Sequence, residues 1–431
     1  MNNVNEIKNS YLCYGCGACN VICSKNALTM QYDNIGRLHP VIDEQKCIDC
    51  GLCYSLCPSL DLKGIQLPDA KDFYTGEVLN SYIGKSTDEH IFQNSQSGGM
   101  VTAILKYLFE TRKIDGAIVC RVDFAQEYMP KAIVVANAEQ LYECQKSSYV
   151  PVDMVSALKN IENLQSIAVV GTGCHIQGFR AICNLKKEYR EKIKYKLGLI
   201  CDRTLCKTIT EVIGRDIFVG EKKKIVWRDK TKGYKNPRLV IKTEDGKEAE
   251  EPQWKRHSLK DPFTNPRCRI CFDKLNVHSD IVLGDPWGMS NVDWVNGESV
   301  TLVRTDLGEE IIESMKCKQL IDLHKASFDE VIKGQHISLR KKTVSDALSV
   351  YIDNKWQLPS YSKQLQSPEQ YGFKADIVKK IQTFVSDSEK GREELIFQNR
   401  LYLKKYRIKS RVMILLYPLQ LVKRIIRKML L

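Results

Sequence analysis

Hydrophobic and polar positions follow different periods in different parts of the chain. In the first 65 residues, the stretches LTMQY and RLHPVID lie on either side of a turn at Asn34–Gly36 and predict two short strands. Residues 66–80 have no clear period, so we predict a linker there. A stronger pattern begins at residue 81 and indicates a further domain.

The middle of the chain alternates predicted strands and helices. Val101, Leu105 and Leu108 follow helical spacing after the glycine pair at 98–99, and the strand AIVCRV comes next. Three more apolar runs, SIAVV, YKLGLI and DIVLGD, predict buried strands. The segment Gly171–Gly178 is predicted to be a turn that leads from the first of these strands into a helix. This alternation predicts a central α/β domain.

The C-terminal part is polar with a mostly helical pattern over residues 326–398, which predicts a helical accessory segment. From residue 399 a tail alternates basic patches with short apolar stretches on both sides of Pro418. The tail can lie on an anionic membrane surface as a basic amphipathic helix pair. It can equally remain in solvent or dock on the protein itself.

Charge along the chain is concentrated in this tail. The net charge is +13, but ten basic residues and no acidic residue follow Glu394, and without these ten the charge is +3. This distribution argues against a nucleic-acid-binding face on the body of the protein. The chain has no run of about 20 apolar residues and no signal-peptide core at its N-terminus. We therefore expect a cytoplasmic protein that either stays in solution or lies at the inner face of the membrane.

Two runs of four cysteines carry the strongest chemical signal. Each run reads C-x2-C-x2-C-x3-C, and the second repeats the first after 34 residues. In such runs the fourth cysteine ligates the cluster of the other run, whereas zinc sites usually take two C-x2-C pairs. The spacing predicts two [4Fe-4S] clusters. The predicted ligands are Cys13, Cys16, Cys19 and Cys57 for one cluster, and Cys47, Cys50, Cys53 and Cys23 for the other.

Four later cysteines are candidates for a third metal site. Cys174 and Cys201 lie near the ends of predicted strands, and Cys268 and Cys271 form a C-x2-C pair. Spacing alone leaves this open, because cysteine is also an ordinary buried residue. Cys206 is an alternative to Cys201.

One of two glycine-rich segments is a candidate anion site. Ser97, Gly98 and Gly99 directly precede a predicted helix, where backbone N–H groups can bind a phosphate, although such glycines are also ordinary helix starts. The segment Gly171–Gly178 has the spacing G-x-G-x4-G, which does not match the dinucleotide fingerprint G-x-G-x2-G.

Five motifs occur in a characteristic order. Residues 96–102 read QSGGMVT, residues 171–175 read GTGCH, Cys201 follows the next strand, a C-x2-C pair comes at 268–271, and residues 284–288 read GDPWG. Together they resemble the family of beta subunits of coenzyme F420 hydrogenases and dehydrogenases. The resemblance covers residues 81–325, in an N-terminal part (81–160) and a C-terminal part (161–325). Gly173 and His175 replace the proline and the glutamine that this family usually has.

The resemblance implies cofactors and site residues. In this family the four cysteines bind a [4Fe-4S] cluster beside a flavin, usually FAD. Two residues are candidate catalytic residues. His175 would act as a proton donor or as a hydrogen-bonding neighbour of a cluster ligand. Asp285 would shape the wall of the flavin or substrate pocket or belong to a buried turn. The implied third-cluster ligands are Cys174, Cys201, Cys268 and Cys271, and the implied flavin-site residues are Ser97, Gly98, Gly99 and Lys146.

The predicted fold class is α+β, with an N-terminal dicluster ferredoxin-like module over residues 1–65, a central α/β iron–sulfur flavoprotein domain and a helical C-terminal extension. The resemblance implies an oxidoreductase that passes electrons between the clusters and a flavin. Its partner would be a redox protein or a small donor such as ferredoxin, coenzyme F420 or NAD(P)H. One alternative is an adaptor that carries electrons to a partner reductase, as in similar proteins near polysaccharide-synthesis genes. A non-redox scaffold of glycan assembly is a third hypothesis.

Overall fold

The computed structural model describes residues 3–62, 72–366 and 391–399. Apart from residue 399, the predicted basic tail lies outside the described residues. Parts of the predicted linker (66–71) and of the accessory segment (367–390) also lie outside them. In the described part, no helix is long and apolar enough to cross a membrane.

The described ranges contain α-helices, β-strands and short 3-10 helices. The α-helices are α1 (Val4–Asn9), α2 (Ala18–Ile22), α3 (Leu52–Ser55), α4 (Glu89–Asn94), α5 (Met100–Glu110), α6 (Gly173–Leu185), α7 (Lys187–Lys192), α8 (Gln253–Leu259), α9 (Pro266–Arg269), α10 (Asp306–Cys317), α11 (Phe328–Gly334) and α12 (Ile337–Asp353). The strands are β1 (Leu28–Tyr32), β2 (Leu38–Ile42), β3 (Asn80–Ser86), β4 (Gly116–Val122), β5 (Pro130–Val135), β6 (Ile167–Thr172), β7 (Ile193–Leu199), β8 (Lys223–Asp229), β9 (Arg238–Thr243), β10 (Glu248–Glu251), β11 (Ile281–Gly284), β12 (Ser299–Val303) and β13 (Ile321–Lys325). The 3-10 helices are Glu139–Cys144, Met154–Asn160, Lys207–Glu211 and Ser362–Leu365, and residues 391–399 are also helical.

An eight-stranded mixed sheet forms the centre of the fold, in the order β13-β3-β12-β11-β7-β6-β4-β5. Its four middle strands β11, β7, β6 and β4 are parallel to one another, and the outer pairs are antiparallel. Alternate residues of β6 face opposite sides, so that Val169 belongs to one apolar core and Ala168 to the other. Because parallel strands end at the same edge, the residues that follow β4, β6, β7 and β11 meet in one crevice.

Each face of this sheet is covered differently. Helices α5 and α10 pack on one face with Leu108 and Met315. On the other face α6 contributes Phe179 to a core that it shares with Leu12 of the N-terminal module and Tyr351 of α12. The N-terminal module and the accessory helices are therefore parts of the same packed body as the central domain.

The structure agrees with the predicted α+β class. The strands predicted around the turn at 34–36 are β1 and β2, which pair antiparallel. The predicted amphipathic helix is α5, and the strands predicted in the middle of the chain are β4, β6, β7 and β11. A separate three-stranded sheet of β8, β9 and β10, packed around Trp227 and Leu259, was not predicted, because charged residues interrupt its apolar pattern.

The prediction of a turn over residues 171–178 is wrong, because α6 already begins at Gly173. Thr172 and His175 form a capping box, in which the Thr172 N–H donates to Nδ1 of His175 at 3.3 Å. The capping box satisfies an otherwise unpaired N–H at the helix start, so the helix extends to the end of β6. Cys174 consequently lies in the first turn of a helix.

Candidate functional site

Four cysteines of the N-terminal module surround a small cavity of about 20 Å³. We call them the inner set: Cys13, Cys16, Cys19 and Cys57. Burial, and then the neighbouring Cys57, raise the pKa of Cys13 to about 12. Such buried thiols become thiolates when a cation compensates their charge, as the iron of a cluster does.

A second cavity, of about 30 Å³, is lined by the remaining four cysteines of the two runs. We call them the outer set: Cys23, Cys47, Cys50 and Cys53. In both cavities the fourth cysteine of one run lies with the first three of the other run, which is the grouping that the spacing predicts. That these cysteines ligate iron stays a prediction. The outer set is close to solvent, since Cys50 is exposed and the adjacent Ile48 is 60% exposed.

The structure also brings together the four later cysteines. We call them the central set: Cys174, Cys201, Cys268 and Cys271. Burial raises the pKa of Cys201 well above its usual range, and the other three thiols, led by Cys268, raise it further. The Thr204 N–H donates to Cys268 Sγ at 3.4 Å, and the Thr172 hydroxyl lies 3.2 Å from Cys174 Sγ. Hydrogen bonds to sulfur are a feature of cluster-binding thiolates.

The alternative ligand Cys206 lies elsewhere. It is fully buried in the apolar core around the three-stranded sheet, together with Leu205 and Ile209. Its backbone N–H donates to the carbonyl of Phe263 at 2.7 Å. The geometry therefore favours Cys201 as the fourth member of the central set.

Three features of the cysteines test whether they fit clusters. All 17 thiols of the chain are free of disulfides. In the described ranges, no three His, Cys, Asp or Glu side chains are placed to hold a single metal ion. The inner and outer sets instead surround small cavities. A set of four cysteines around a small cavity fits a [4Fe-4S] cluster, and the runs of four cysteines differ from the paired C-x2-C spacing of zinc sites.

The structure explains why residue 173 is glycine and not the proline that the resembled family usually has. A β-carbon at this position would lie 2.4 Å from Oδ2 of Asp273, a buried residue two positions after Cys271. Asp273 is held by Gln177 Nε2 at 2.8 Å and by the Val277 N–H at 2.7 Å. In this chain the aspartate occupies the space that a proline ring at residue 173 would need.

The inner and central sets are neighbours. The Val155 N–H donates to the carbonyl of Cys16 at 3.0 Å. A β-carbon at Gly178 of α6 would lie 3.2 Å from Cys16 Sγ. Cys16 is also among the groups that raise the pKa of Cys174, after burial and the thiols of the central set. Cys53 of the outer set is in turn among the thiols that, after burial, raise the pKa of Cys19 of the inner set. The outer, inner and central sets therefore lead from the surface into the central domain.

A cavity of about 310 Å³ opens where the parallel strands end. We call it the sheet-edge cavity. Its walls include the ends of four strands, represented by Val119, Val170, Leu199 and Leu283. Cys201 belongs both to this wall and to the central set, so the cavity adjoins the third group of cysteines. Its size is within the usual range for cofactor pockets.

The predicted glycine-rich helix start contributes one wall of the cavity. Ser97, Gly99 and the first turn of α5 line it, and Gly99 caps this helix without a side-chain hydrogen bond. Gly98 is buried against β12, where its N–H donates to Ser299 Oγ at 3.0 Å. The N–H groups at the start of α5 are therefore available for an anionic group such as a phosphate.

Three cationic side chains line the same cavity. They belong to Lys146, Arg203 and Lys260. Lys146 has a φ of 78°, which is unusual for a residue with a side chain. Burial lowers the pKa of Lys146, and burial followed by Arg256 lowers that of Lys260 to about 8. An anionic ligand would stabilise both ammonium groups, so these walls fit the phosphates of FAD.

The candidate catalytic residue His175 lies in the wall of the cavity, and the structure gives its ring structural partners. Nδ1 accepts from the Thr172 N–H, so the neutral ring carries its proton on Nε2. Burial lowers its pKa to about 4 even though the Val152 backbone bonds the ring, and the histidine is neutral at pH 7. These contacts favour the role of a hydrogen-bonding neighbour. Its role as a proton donor stays a prediction.

Asp285, the other candidate, also lines the cavity. The Tyr234 hydroxyl donates to its Oδ1 at 2.8 Å, and Arg228 forms an ion pair with its Oδ2. Both oxygens are thus engaged by neighbouring side chains. Trp287 stacks on Tyr234 at 5.9 Å between ring centroids, and Gly284 and Asp285 of the GDPWG motif line the cavity.

Sequence reasoning did not identify several residues of the site. Arg340 of α12 donates to the carbonyls of Cys268 and Cys271 at 2.8 and 2.9 Å and thereby holds the C-x2-C turn. Lys230 donates to the carbonyl of Ser97 at 2.7 Å and supports the glycine-rich loop. Neither belongs to a motif, since each reaches the site from a distant part of the chain.

Three family models match the chain. Two describe the beta subunit of coenzyme F420 hydrogenase/dehydrogenase: the model of its N-terminal part matches residues 81–159, and the model of its C-terminal part matches residues 164–328. A 4Fe-4S dicluster domain model matches residues 12–60. The match to the dicluster domain model supports two iron–sulfur clusters in the N-terminal module.

Relatives and a solved structure agree with these matches. The chain is 30% identical to the coenzyme F420-dependent sulfite reductase of Methanocaldococcus jannaschii, over 78% of this chain but only 50% of that protein. It is 25% identical to one of the subunits of the F420H2 dehydrogenase of Methanosarcina mazei, over 78% of this chain and 91% of that relative. In the F420-reducing [NiFe] hydrogenase complex of Methanosarcina barkeri, one chain shares the fold with a TM-score of 0.51 and 23% identity, over 66% of this chain and 95% of that one.

Proposed function

The chain belongs to the family of beta subunits of coenzyme F420 hydrogenases and dehydrogenases, and from this premise we propose that it is an iron–sulfur flavoprotein oxidoreductase. Several of its relatives are named as oxidoreductases or as subunits of oxidoreductases, so a redox role is common to those relatives. The proposal is that three cysteine sets hold [4Fe-4S] clusters and that the sheet-edge cavity holds FAD. When bound, the clusters carry single electrons and the flavin converts them to hydride chemistry.

One observation carries this proposal, namely the continuity of the cysteine sets with the cavity. The outer set lies at the surface, the inner set follows, and Cys201 belongs to both the central set and the cavity wall. The chain's own residues would bind the flavin phosphates through the start of α5 and Lys146. Val170 and Leu283 would exclude water from its ring system.

The second candidate function is that of an electron-transfer adaptor with no substrate site of its own. Two observations favour this adaptor function. Some relatives are named as subunits of larger enzymes, and the chain covers only half of the length of the sulfite reductase. In this case electrons would leave toward a partner reductase, and polysaccharide biosynthesis is one setting for such a partner.

Anaerobic purification followed by iron and flavin analysis tests the proposal. We expect about twelve iron atoms per chain, from four per cluster, and one flavin. About eight iron atoms without flavin absorbance would contradict the flavoprotein and leave the adaptor. Reduced ferredoxin, NAD(P)H and reduced coenzyme F420 are then compared as donors by the rate at which each bleaches the flavin.

We also propose that the basic tail attaches the protein to anionic membranes. The support is its sequence, with ten basic residues and no acidic one. The truncation should follow Asn399, because Leu395 and Ile396 belong to the core around β8 and β9. We expect the full chain to sediment with anionic liposomes at low salt and the truncated chain to stay in the supernatant. Equal sedimentation of both would contradict the proposal, and neutral liposomes provide the control.

A further inference from the structure

A buried arginine lies between the inner and central cysteine sets. Arg267 directly precedes Cys268 of the central set and is fully buried. Its guanidinium carbon lies 4.4 Å above the ring of Tyr14, the residue that follows Cys13 of the inner set. The loops that carry the two sets therefore meet through this pair of side chains.

The hydrogen bonds of Arg267 leave its charge unbalanced. Nη1 donates to the carbonyl of Ile270 at 3.0 Å, and Nη2 donates to the hydroxyl of Tyr361 at 2.6 Å. Nη2 also lies 3.5 Å from the carbonyl of Ser59, next but one to Cys57. All these oxygens are uncharged, and in the part of the chain that the structure describes Arg267 forms no ion pair with a carboxylate. A buried arginine without a counter-charge is costly, so a negative partner is expected nearby.

The loops of both cysteine sets surround this arginine. Ile270, the partner of Nη1, lies between Cys268 and Cys271 of the central set. Ser59, the neighbour of Nη2, lies two residues after Cys57 of the inner set. The iron-bound thiolates of either set would therefore place negative charge near the guanidinium.

We propose that Arg267 is a positioning residue whose fixed positive charge is shared by the inner and central sets and raises the electron affinity of the clusters that they hold. This inference rests on the proposed function. Reduction adds a negative charge to a cluster, and a nearby cation stabilises the reduced state. Because one charge acts on both sets, their midpoint potentials rise together, so both clusters become easier to reduce while the driving force between them changes little.

The test compares wild type with Arg267→Gln and Arg267→Lys in anaerobic redox titrations followed by EPR. Both variants keep a donor for the carbonyl of Ile270, and the lysine also keeps the charge. We expect Arg267→Gln to lower the midpoint potentials of the inner and central clusters. At a fixed solution potential, the ratio of reduced to oxidised cluster should fall at least tenfold for each, which corresponds to 59 mV for one electron. The outer cluster should be unaffected, and Arg267→Lys should recover most of the loss.

Wild-type potentials in Arg267→Gln with full iron would overturn the proposal and leave a purely structural arginine. Arg267→Gln could lose the iron of the central set. In that case the midpoint potential of the inner cluster is compared between Arg267→Gln and Cys268→Ala, a variant expected to lack the central cluster but to keep Arg267. The proposal requires a lower potential in Arg267→Gln, and equal potentials would overturn it. A wild-type content of about eight iron atoms would contradict the proposed function itself, before any arginine variant is made.

Discussion

Replacing Cys268 by alanine should lower the iron content from about twelve to about eight atoms per chain. Cys268 accepts a hydrogen bond from the Thr204 N–H and lies with Cys174, Cys201 and Cys271. Loss of one thiolate from a buried four-cysteine set leaves an iron site open and exposes the cluster to loss. The measurement is iron and acid-labile sulfide per chain after anaerobic purification, with EPR of the remaining clusters.

The matched control is Cys206→Ala. This cysteine is five residues from Cys201, but it packs in the apolar core beside Leu205 and Ile209. We expect the control to keep about twelve iron atoms and to lose only a little stability from the smaller side chain. If Cys206→Ala loses a cluster and Cys268→Ala does not, the composition of the central set is wrong.

Replacing Lys146 by glycine should weaken flavin binding by about 10- to 150-fold, because a hydrogen bond to a charged group contributes about 1.5–3 kcal/mol. Lys146 lines the sheet-edge cavity with a φ of 78°. Glycine adopts this backbone conformation without strain, so the variant removes the ammonium group without harming the fold. The affinity is measured by fluorescence titration of flavin-free protein at fixed salt.

Lys355→Gly provides the control for this experiment. Lys355 is another lysine with a positive φ, 57°, and it is exposed after the end of α12. We expect its replacement to leave the flavin affinity unchanged. Equal affinities of wild type and Lys146→Gly would remove Lys146 from the flavin site. A wild-type protein that binds no flavin in the titration would contradict the flavin proposal.

The order of the cysteine sets limits where a donor protein can deliver electrons. Cys50 of the outer set is exposed, and Ile48 and Leu52 beside it present apolar surface to solvent. The inner set instead shares its core with the central domain, where Val155 bonds to Cys16. A protein donor is therefore expected at the outer set, whereas a small donor is expected at the sheet-edge cavity.

Local features of this chain follow from the sequence alone. The two cysteine runs hold most of their ligands within one turn, and the β1–β2 pair depends on a short turn, so neighbours along the chain determine both. The parallel strands were also predictable, because buried strands are continuous apolar runs. The start of α6 was not predictable, since it depends on a capping contact between Thr172 and His175.

The tertiary structure decided which distant residues meet. Spacing could not choose between Cys201 and Cys206, and only packing separates them, because one lies at the sheet edge and the other lies in an apolar core. Arg267 and Tyr14 are more than 250 positions apart in sequence, and no periodicity relates them. The sequence by itself determined the two cysteine runs, and with them the prediction of iron–sulfur clusters. Folding decided that the inner set lies against the central domain and that the cavity lies beside Cys201, because burial of a shared core, not local spacing, brings these segments together.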